Sequence, residues 1–378
     1  MKNLQINILR KSGILFFSIF LIFYAEVKAE REIELQFHEI REKYKIDPVF
    51  FSDIGIKKLI FRSFSNGNGD GGLLFKNSHF RTLYPAIEKL SALYNKKFSF
   101  WGWMTGRSFT WLKRKDLFDV KYYDGKKNII KKIDIFNPEA KEKILGSFRD
   151  LASVGVSGIL IQDDLVLRQN EGFSKWGMKK FAKEAKVPAR EKLMVDRGTP
   201  YNLKWITIKK KTIILLINDI IRECKKINPD IKTGINIFYE TALNTKLSEE
   251  WYSHNLEEIV GTGIDRVYLM AYHRQMKKEL KFGTRKVKEE FKNMIDNAYK
   301  IAGSKLVIKM EIYDWDKKEV IPLSEIESYL NLIPAGVNRI CFTPVKAGTK
   351  KYFRELVRMV KKLKLIPDES KIIKKEKL

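Results

Sequence analysis

Hydrophobic and polar positions follow a repeating unit along this chain: a short β-branched or aromatic run, a loop, then a longer segment with apolar residues at helical spacing. The runs 57–62, 97–104, 158–163, 231–238, 265–272, 305–312 and 338–343 predict strands. Each is short, apolar and bounded by polar or turn residues, as strands covered on both faces should be. Helical spacing recurs over 84–94, 138–153, 206–226, 248–260, 288–302, 323–332 and 350–363. Seven β-α units in succession predict an α/β fold with a parallel sheet closed into a TIM-like barrel, its eighth unit incomplete or irregular. A doubly wound open sheet is the alternative.

Punctuation supports this frame. Asn137-Pro138 supplies a helix cap followed by proline at the first helical position, Ser248 with Glu249 and Glu250 predicts another helix start, and Gly155 and Gly303 stop helices before strands. The connection 165–205 is too long for a compact loop and should hold its own helix near 174–185. No Pro/Ser-rich linker divides the chain, so residues 30–365 read as one barrel domain. Ahead of it, Lys2, Arg10 and Lys11 precede an apolar run from Gly13 to Tyr24, and Val27-Lys28-Ala29 offers a small-x-small cleavage site. Residues 1–29 therefore read as a secretory signal peptide, too short in its apolar part to span a bilayer, and imply export to the periplasm or cell envelope. Residues 366–378 form a basic tail.

Composition adds constraints. With 44% hydrophobic and 12% aromatic residues the chain can bury a core. Its 73 Lys+Arg against 46 Asp+Glu give a formal net charge of +27. The lysines are spread over nearly every predicted helix, which reads as a solvated surface and leaves room for peripheral contact with an envelope membrane. Nothing beyond charge points to nucleic acid, so no such partner is expected. The two cysteines, Cys224 and Cys341, read as buried free thiols, and four scattered histidines assemble no metal cluster. No metal or organic cofactor is expected.

In a barrel the chemistry collects at the C-terminal ends of the strands. There the sequence places Arg62, then Trp101 and Trp103, then Asp163 and Asp164, then Tyr239 and Glu240, Tyr272 and His273, and finally Glu311 with Asp314 and Trp315. Carboxylates among aromatic rings suit a carbohydrate site, because aromatic faces stack on sugar C–H groups while carboxyl groups serve as acid and base. Asp163-Asp164 is the sharpest signal, since neighbouring like charges push one carboxyl toward its protonated form. In a regular strand the pair would face opposite sides, so only one enters the mouth unless the chain bends. A second carboxyl group is needed for most glycosidic hydrolysis, and Asp163, Glu240 and Glu311 are its candidates. The glycine-rich stretch Asn66-Gly67-Asn68-Gly69-Asp70-Gly71-Gly72 lacks the Gly-Lys-Ser/Thr ending of a phosphate loop and reads as a turn. Trp101, Trp103, Tyr239, Tyr272 and Trp315 are expected to line the cleft.

The motifs also resemble a known family. Phe64 with the following Gly/Asp-rich loop and Leu74-Phe75-Lys76-Asn77, then Trp101-Gly102-Trp103-Met104, Phe136-Asn137-Pro138, Gly158-Ile159-Leu160-Ile161-Gln162-Asp163-Asp164, Asn236-Ile237-Phe238, Trp251, Met270-Ala271 and Asp314-Trp315 occur in the order of the C-terminal glycoside hydrolase domains of the PgaB family. The resemblance covers about Gly55 to Thr343. It implies endo-cleavage of a partially deacetylated poly-β-1,6-N-acetyl-D-glucosamine, with Asp164 as the general acid and Asp163 or Glu240 as the second carboxylate. Gln162 stands where that family has His. No counterpart of the family's deacetylase domain is recognisable, so deacetylation is not expected. A non-catalytic polysaccharide-binding barrel that guides export of the polymer is the alternative function.

Overall fold

The computed structural model describes residues 31–38, 47–67, 70–345 and 349–363. The signal peptide and basic tail expected from the sequence lie outside the described residues.

Eight parallel strands close into a barrel: β1 (Glu32–Phe37), β2 (Lys58–Arg62), β3 (Ser99–Met104), β6 (Gly158–Ile161), β7 (Lys232–Ile237), β8 (Arg266–Met270), β9 (Leu306–Glu311) and β10 (Arg339–Thr343). Closure pairs β1 with both β2 and β10, in registers such as Leu35 with Leu59 and Leu35 with Phe342, which removes the edges of the open-sheet alternative. The eighth unit, expected to be incomplete or irregular, has a full six-residue strand, β1, followed by a helix of only six residues, Pro48–Asp53.

The strands sort their side chains by the two-residue period of the pleat. Ile33, Leu35, Leu59, Phe61, Phe100, Ile159, Ile235, Leu269, Ile308 and Phe342 face outward into the main core beneath the helices. The alternate set fills the lumen with Ile60, Trp101, Trp103, Leu160, Tyr268, Val307 and Cys341. Both free cysteines are buried. At the lower end of the lumen Lys58 Nζ bonds Glu34 at 2.7 Å, the Tyr268 hydroxyl donates to Glu34 at 2.7 Å, and Lys58 sits 4.1 Å from the Trp101 ring centroid. Gly158 makes this possible, since a Cβ there would lie 2.3 Å from Trp101.

Between β3 and β6 the chain adds an antiparallel hairpin, β4 (Phe118–Tyr123) and β5 (Lys126–Ile133), which the sequence reading did not foresee. Asp124 and Gly125, at φ 49° and 73°, make its two-residue turn. A buried charge cluster fastens it to the barrel: Arg107 reaches Asp119 at 2.5 Å and Glu171 at 2.8 Å, and Lys132 reaches Glu171 at 2.6 Å. Burial alone would raise Glu171, but Arg107 and Lys132 outweigh it and hold that carboxyl near 2.

Helix caps follow the expected chemistry with local shifts. Asn137 accepts from the backbone N–H of Glu139 and Ala140, and Ser174 caps Lys175–Ala185, the helix expected inside the long connection. The expected helix 206–226 begins earlier, at Pro200, because Thr199 caps it. The stretch 248–260 forms two helices, Thr245–Tyr252 and Leu256–Gly261, capped by Asn244 and Asn255. Ser253, left-handed at φ 59°, breaks them apart, so the start expected at Ser248 is corrected to Asn244.

Candidate active site

The mouth of the lumen is an aromatic wall built from the ends of neighbouring strands. Trp103, two residues above Trp101 on the inward row of β3, packs 4.7 Å from the His38 ring and 5.8 Å from Phe64. Arg62 lies 4.3 Å above the Phe64 ring and 5.5 Å from that of Trp103. Trp315 joins the wall 5.4 Å from Tyr272 and 6.4 Å from His38, and it remains 39% exposed. His38 in turn bonds Thr343 Oγ1 at 3.0 Å. Arg62, Trp103, Tyr272 and Trp315 are therefore brought together, and His38 is a mouth residue that the sequence reading passed over. Trp101 is not among them. It is sealed in the lumen at 1% exposure, its indole N–H on Ser99 Oγ, because the inward row descends two residues from Trp103 to reach it.

The two consecutive aspartates part company where β6 ends at Ile161. Asp164 turns toward the loop after β3, accepting from Thr105 Oγ1 at 2.6 Å and from the backbone N–H groups of Gly106, Arg107 and Ser108 at 2.7, 3.0 and 2.6 Å. Its oxygens are occupied in holding that loop, which does not suit the proton-donor role expected of it. Asp163 instead lies within the field of Lys309 and Arg168. Burial pushes its carboxyl above the usual range, the Lys309 ammonium opposes the rise and the Asp164 charge adds to it. Lys309 stands on the inward row of β9, bonded to Asn236 Oδ1 at 2.8 Å and 5.7 Å from the Trp103 ring, and burial lowers it to about 8. A lysine interrupting Val307-Ile308-Lys309-Met310 was the signal that could have revealed it. Tyr272 lies near enough to Asp163 and Glu311 for both charges, after burial, to push its hydroxyl up.

The remaining expected residues form two flanking groups. On one side Arg274 grips Glu325 through Nε and Nη2 at 2.8 and 2.6 Å and also pairs with Asp314. Asp314 further accepts from the backbone of Asp316 and Lys317, so it fixes a turn. His273 is 1% exposed, bonds Glu325 at 2.8 Å and packs 4.2 Å from Tyr329, while burial lowers its pKa, so the ring serves structure there. Glu311 accepts from the Arg274 backbone N–H at 2.6 Å, and burial raises it to about 7. On the other side the Tyr252 hydroxyl donates to Glu240 at 3.0 Å, that of Tyr239 donates to Glu279 at 2.8 Å, and burial raises Glu240. Arg168, beyond the aspartates, lies 5.7 Å from the Tyr252 ring and acts on the Asp163 charge, which links this group to the mouth.

The arrangement thus offers, at one end of the barrel, a carboxyl with raised pKa within electrostatic reach of Tyr272 in an aromatic wall. Such a group can hand a proton to a leaving oxygen while rings hold a sugar. Among the described residues no group of three or more His, Cys, Asp or Glu is placed to hold a metal ion, and no helix is long and apolar enough to cross a membrane.

Comparison with known proteins agrees with this architecture. No curated protein matches the chain in sequence. In fold it is similar to the PgaB (BpsB) glycoside hydrolase domain from Bordetella bronchiseptica, with a TM-score of 0.71 and 15% identity, covering 87% of this chain and 99% of that one. It is also similar to the β-galactosidases of the haloarchaeon Halorubrum lacusprofundi (TM-score 0.63, 9% identity, 88% of this chain and 58% of that one) and of Marinomonas ef1 (0.59, 9%, 91% and 60%), spanning somewhat over half of their length. Residues 100–343 match the model of hypothetical glycosyl hydrolase family 13, and the chain belongs to that family.

Proposed function

We propose that this glycoside hydrolase-like protein is exported and cleaves within a partially deacetylated poly-β-1,6-N-acetyl-D-glucosamine, with Asp163 as the general acid. The observation that carries this reading is the Asp163 carboxyl, raised by burial and lying within electrostatic reach of Lys309 and Tyr272, while Asp164 is engaged with the 105–108 loop. The substrate class rests on the resemblance of the motifs from Phe64 to Trp315 to PgaB-type domains, and export rests on the N-terminal sequence pattern.

A sugar seated against Trp103 and Trp315 presents its glycosidic oxygen to Asp163, which donates the proton as the bond breaks. The substrate's own acetamido oxygen attacks the anomeric carbon, so one strong acid suffices, and water then opens the cyclic intermediate and returns the proton to Asp163. Lys309 keeps the Asp163 pKa from rising so far that the proton would be held too tightly. Glu240, hydrogen-bonded to Tyr252, orients the adjoining part of the chain.

The test is mass spectrometry of partially deacetylated β-1,6-glucosamine oligomers incubated with the wild type and with Asp163→Asn. Shorter products from the wild type alone support the reading. Intact oligomers with both proteins overturn the reaction, and binding without turnover would then favour the polysaccharide-guiding barrel, to which Gln162 in place of His lends some weight.

A further inference from the structure

A second aromatic pocket opens beside the mouth, at the same end of the barrel. It is a cavity of about 410 Å³ whose lining includes Tyr122, Tyr123 and Asp124 of the hairpin, Arg168, Gln169 and Asn170 after β6, and Trp251 after β7, so the Asp124 and Arg168 charges offset each other in number. Three successive strand-to-helix connections therefore build it. Tyr123 is 69% exposed and Trp251 37% exposed, so two large rings stand open to solvent where burying them would have been favourable.

The pocket walls are tied to the fold. The Tyr122 backbone N–H donates to Asn170 O at 2.9 Å, that of Phe173 donates to Val120 O at 2.9 Å, and the Tyr122 ring packs 5.7 Å from Phe173. Trp251 is set edge-on to Tyr252 at 6.4 Å, and Tyr252 stacks on Phe238 at 4.3 Å and bonds Glu240. Arg168 joins the two regions, since it reaches the Tyr252 ring, lines the pocket and acts on the Asp163 charge. Arg168 thus connects the acid with the pocket.

We infer that this pocket is a remote glycan subsite that holds uncharged hexosamine units of a chain whose scissile bond lies at Asp163. Trp251 and Tyr123 supply stacking faces, while Arg168, Gln169 and Asn170 supply hydrogen bonds to hydroxyl and acetamido oxygens. The inference rests on the hydrolase reading above and deepens it, because a bound remote segment favours long chains and internal cleavage over the trimming of short ends.

The test uses the full chain with a β-1,6-linked N-acetylglucosamine hexamer and the corresponding disaccharide, in the wild type, Trp251→Ala and Tyr123→Ala. Each substitution should lower the ratio of kcat/KM for hexamer over disaccharide roughly three- to tenfold, the loss of one stacking contact. An unchanged ratio overturns the subsite. Calorimetric titration of the hexamer into Asp163→Asn, with and without Trp251→Ala, decides the matter independently of turnover. An affinity weakened roughly three- to tenfold by Trp251→Ala supports the subsite even if the wild type cleaves neither substrate, which would defeat the hydrolase reading alone. Equal affinity in the two proteins, or none in either, overturns it.

Discussion

Asp163 and Asp164 are consecutive in the chain yet answer to different partners: Asp163 lies within the field of the lumen lysine Lys309, and Asp164 accepts four hydrogen bonds from residues 105–108. Their amide variants should therefore fail differently. Asp163→Asn should keep the wild-type melting temperature and lose about 100- to 10,000-fold in kcat, the usual contribution of a positioned acid. Asp164→Asn turns an amide donor toward donors and should lower stability by about 2 kcal/mol or more. Denaturation curves beside turnover numbers would separate them, and the reverse pattern would return the acid role to Asp164.

The Asp163 carboxyl donates only while protonated, so kcat/KM should fall as pH rises through its elevated pKa. Lys309 lowers that pKa. Replacing it by methionine should move the alkaline limb of the pH profile upward, and an unmoved or lowered limb would show that the two groups are not coupled.

Glu311 makes stability depend on pH. Its folded value, about 7, lies above the ordinary carboxylate value of about 4.3, so between these the folded protein holds a proton that the unfolded chain has released. The stability it contributes is complete below the lower value and is lost as pH rises through the upper one. The wild type should consequently lose ground to Glu311→Gln by up to about 1.4 kcal/mol per pH unit between pH 5 and 7. Urea midpoints at stepped pH measure this, and a constant difference between the two proteins would contradict it.

Arg107 is fully buried between Asp119 and Glu171 and also donates to the Ile133 carbonyl. Arg107→Met strands the Asp119 carboxylate, leaves Glu171 with Lys132 alone, and should cost about 3–5 kcal/mol. Hydrogen exchange should accelerate first across the hairpin, residues 118–133, since the cluster is its fastening. Uniform acceleration over the whole barrel would assign Arg107 to the general core instead.

Much of this architecture was legible because strands covered on both faces are mostly apolar, and seven of the eight read as short apolar runs despite single charges such as Lys58 and Lys309. β1 escaped because Glu32-Ile33-Glu34-Leu35-Gln36-Phe37 alternates as a half-exposed strand would, whereas here Glu34 and Gln36 are wholly buried, Glu34 meeting Lys58 and Tyr268 inside. The hairpin escaped because Lys126 to Lys132 is too polar to announce a strand, although Asp124-Gly125 was a turn signal in plain view. At the site, strand parity put both tryptophans on one face, but only depth along the barrel separates Trp101, a packing residue, from Trp103 at the mouth.

The sequence by itself determined the repeating βα order, the strand-end inventory of carboxylates and aromatic rings, and the cap that starts the helix at Pro138, because periodicity and capping are local physics. Only the tertiary structure decided which of two adjacent aspartates holds the 105–108 loop, that Lys309 faces the lumen, and that Asp314 and His273 belong to a flanking ion network. Those outcomes depend on a single turn after Ile161 and on charges brought together from strands far apart in the chain, and no local pattern encodes the distance between them.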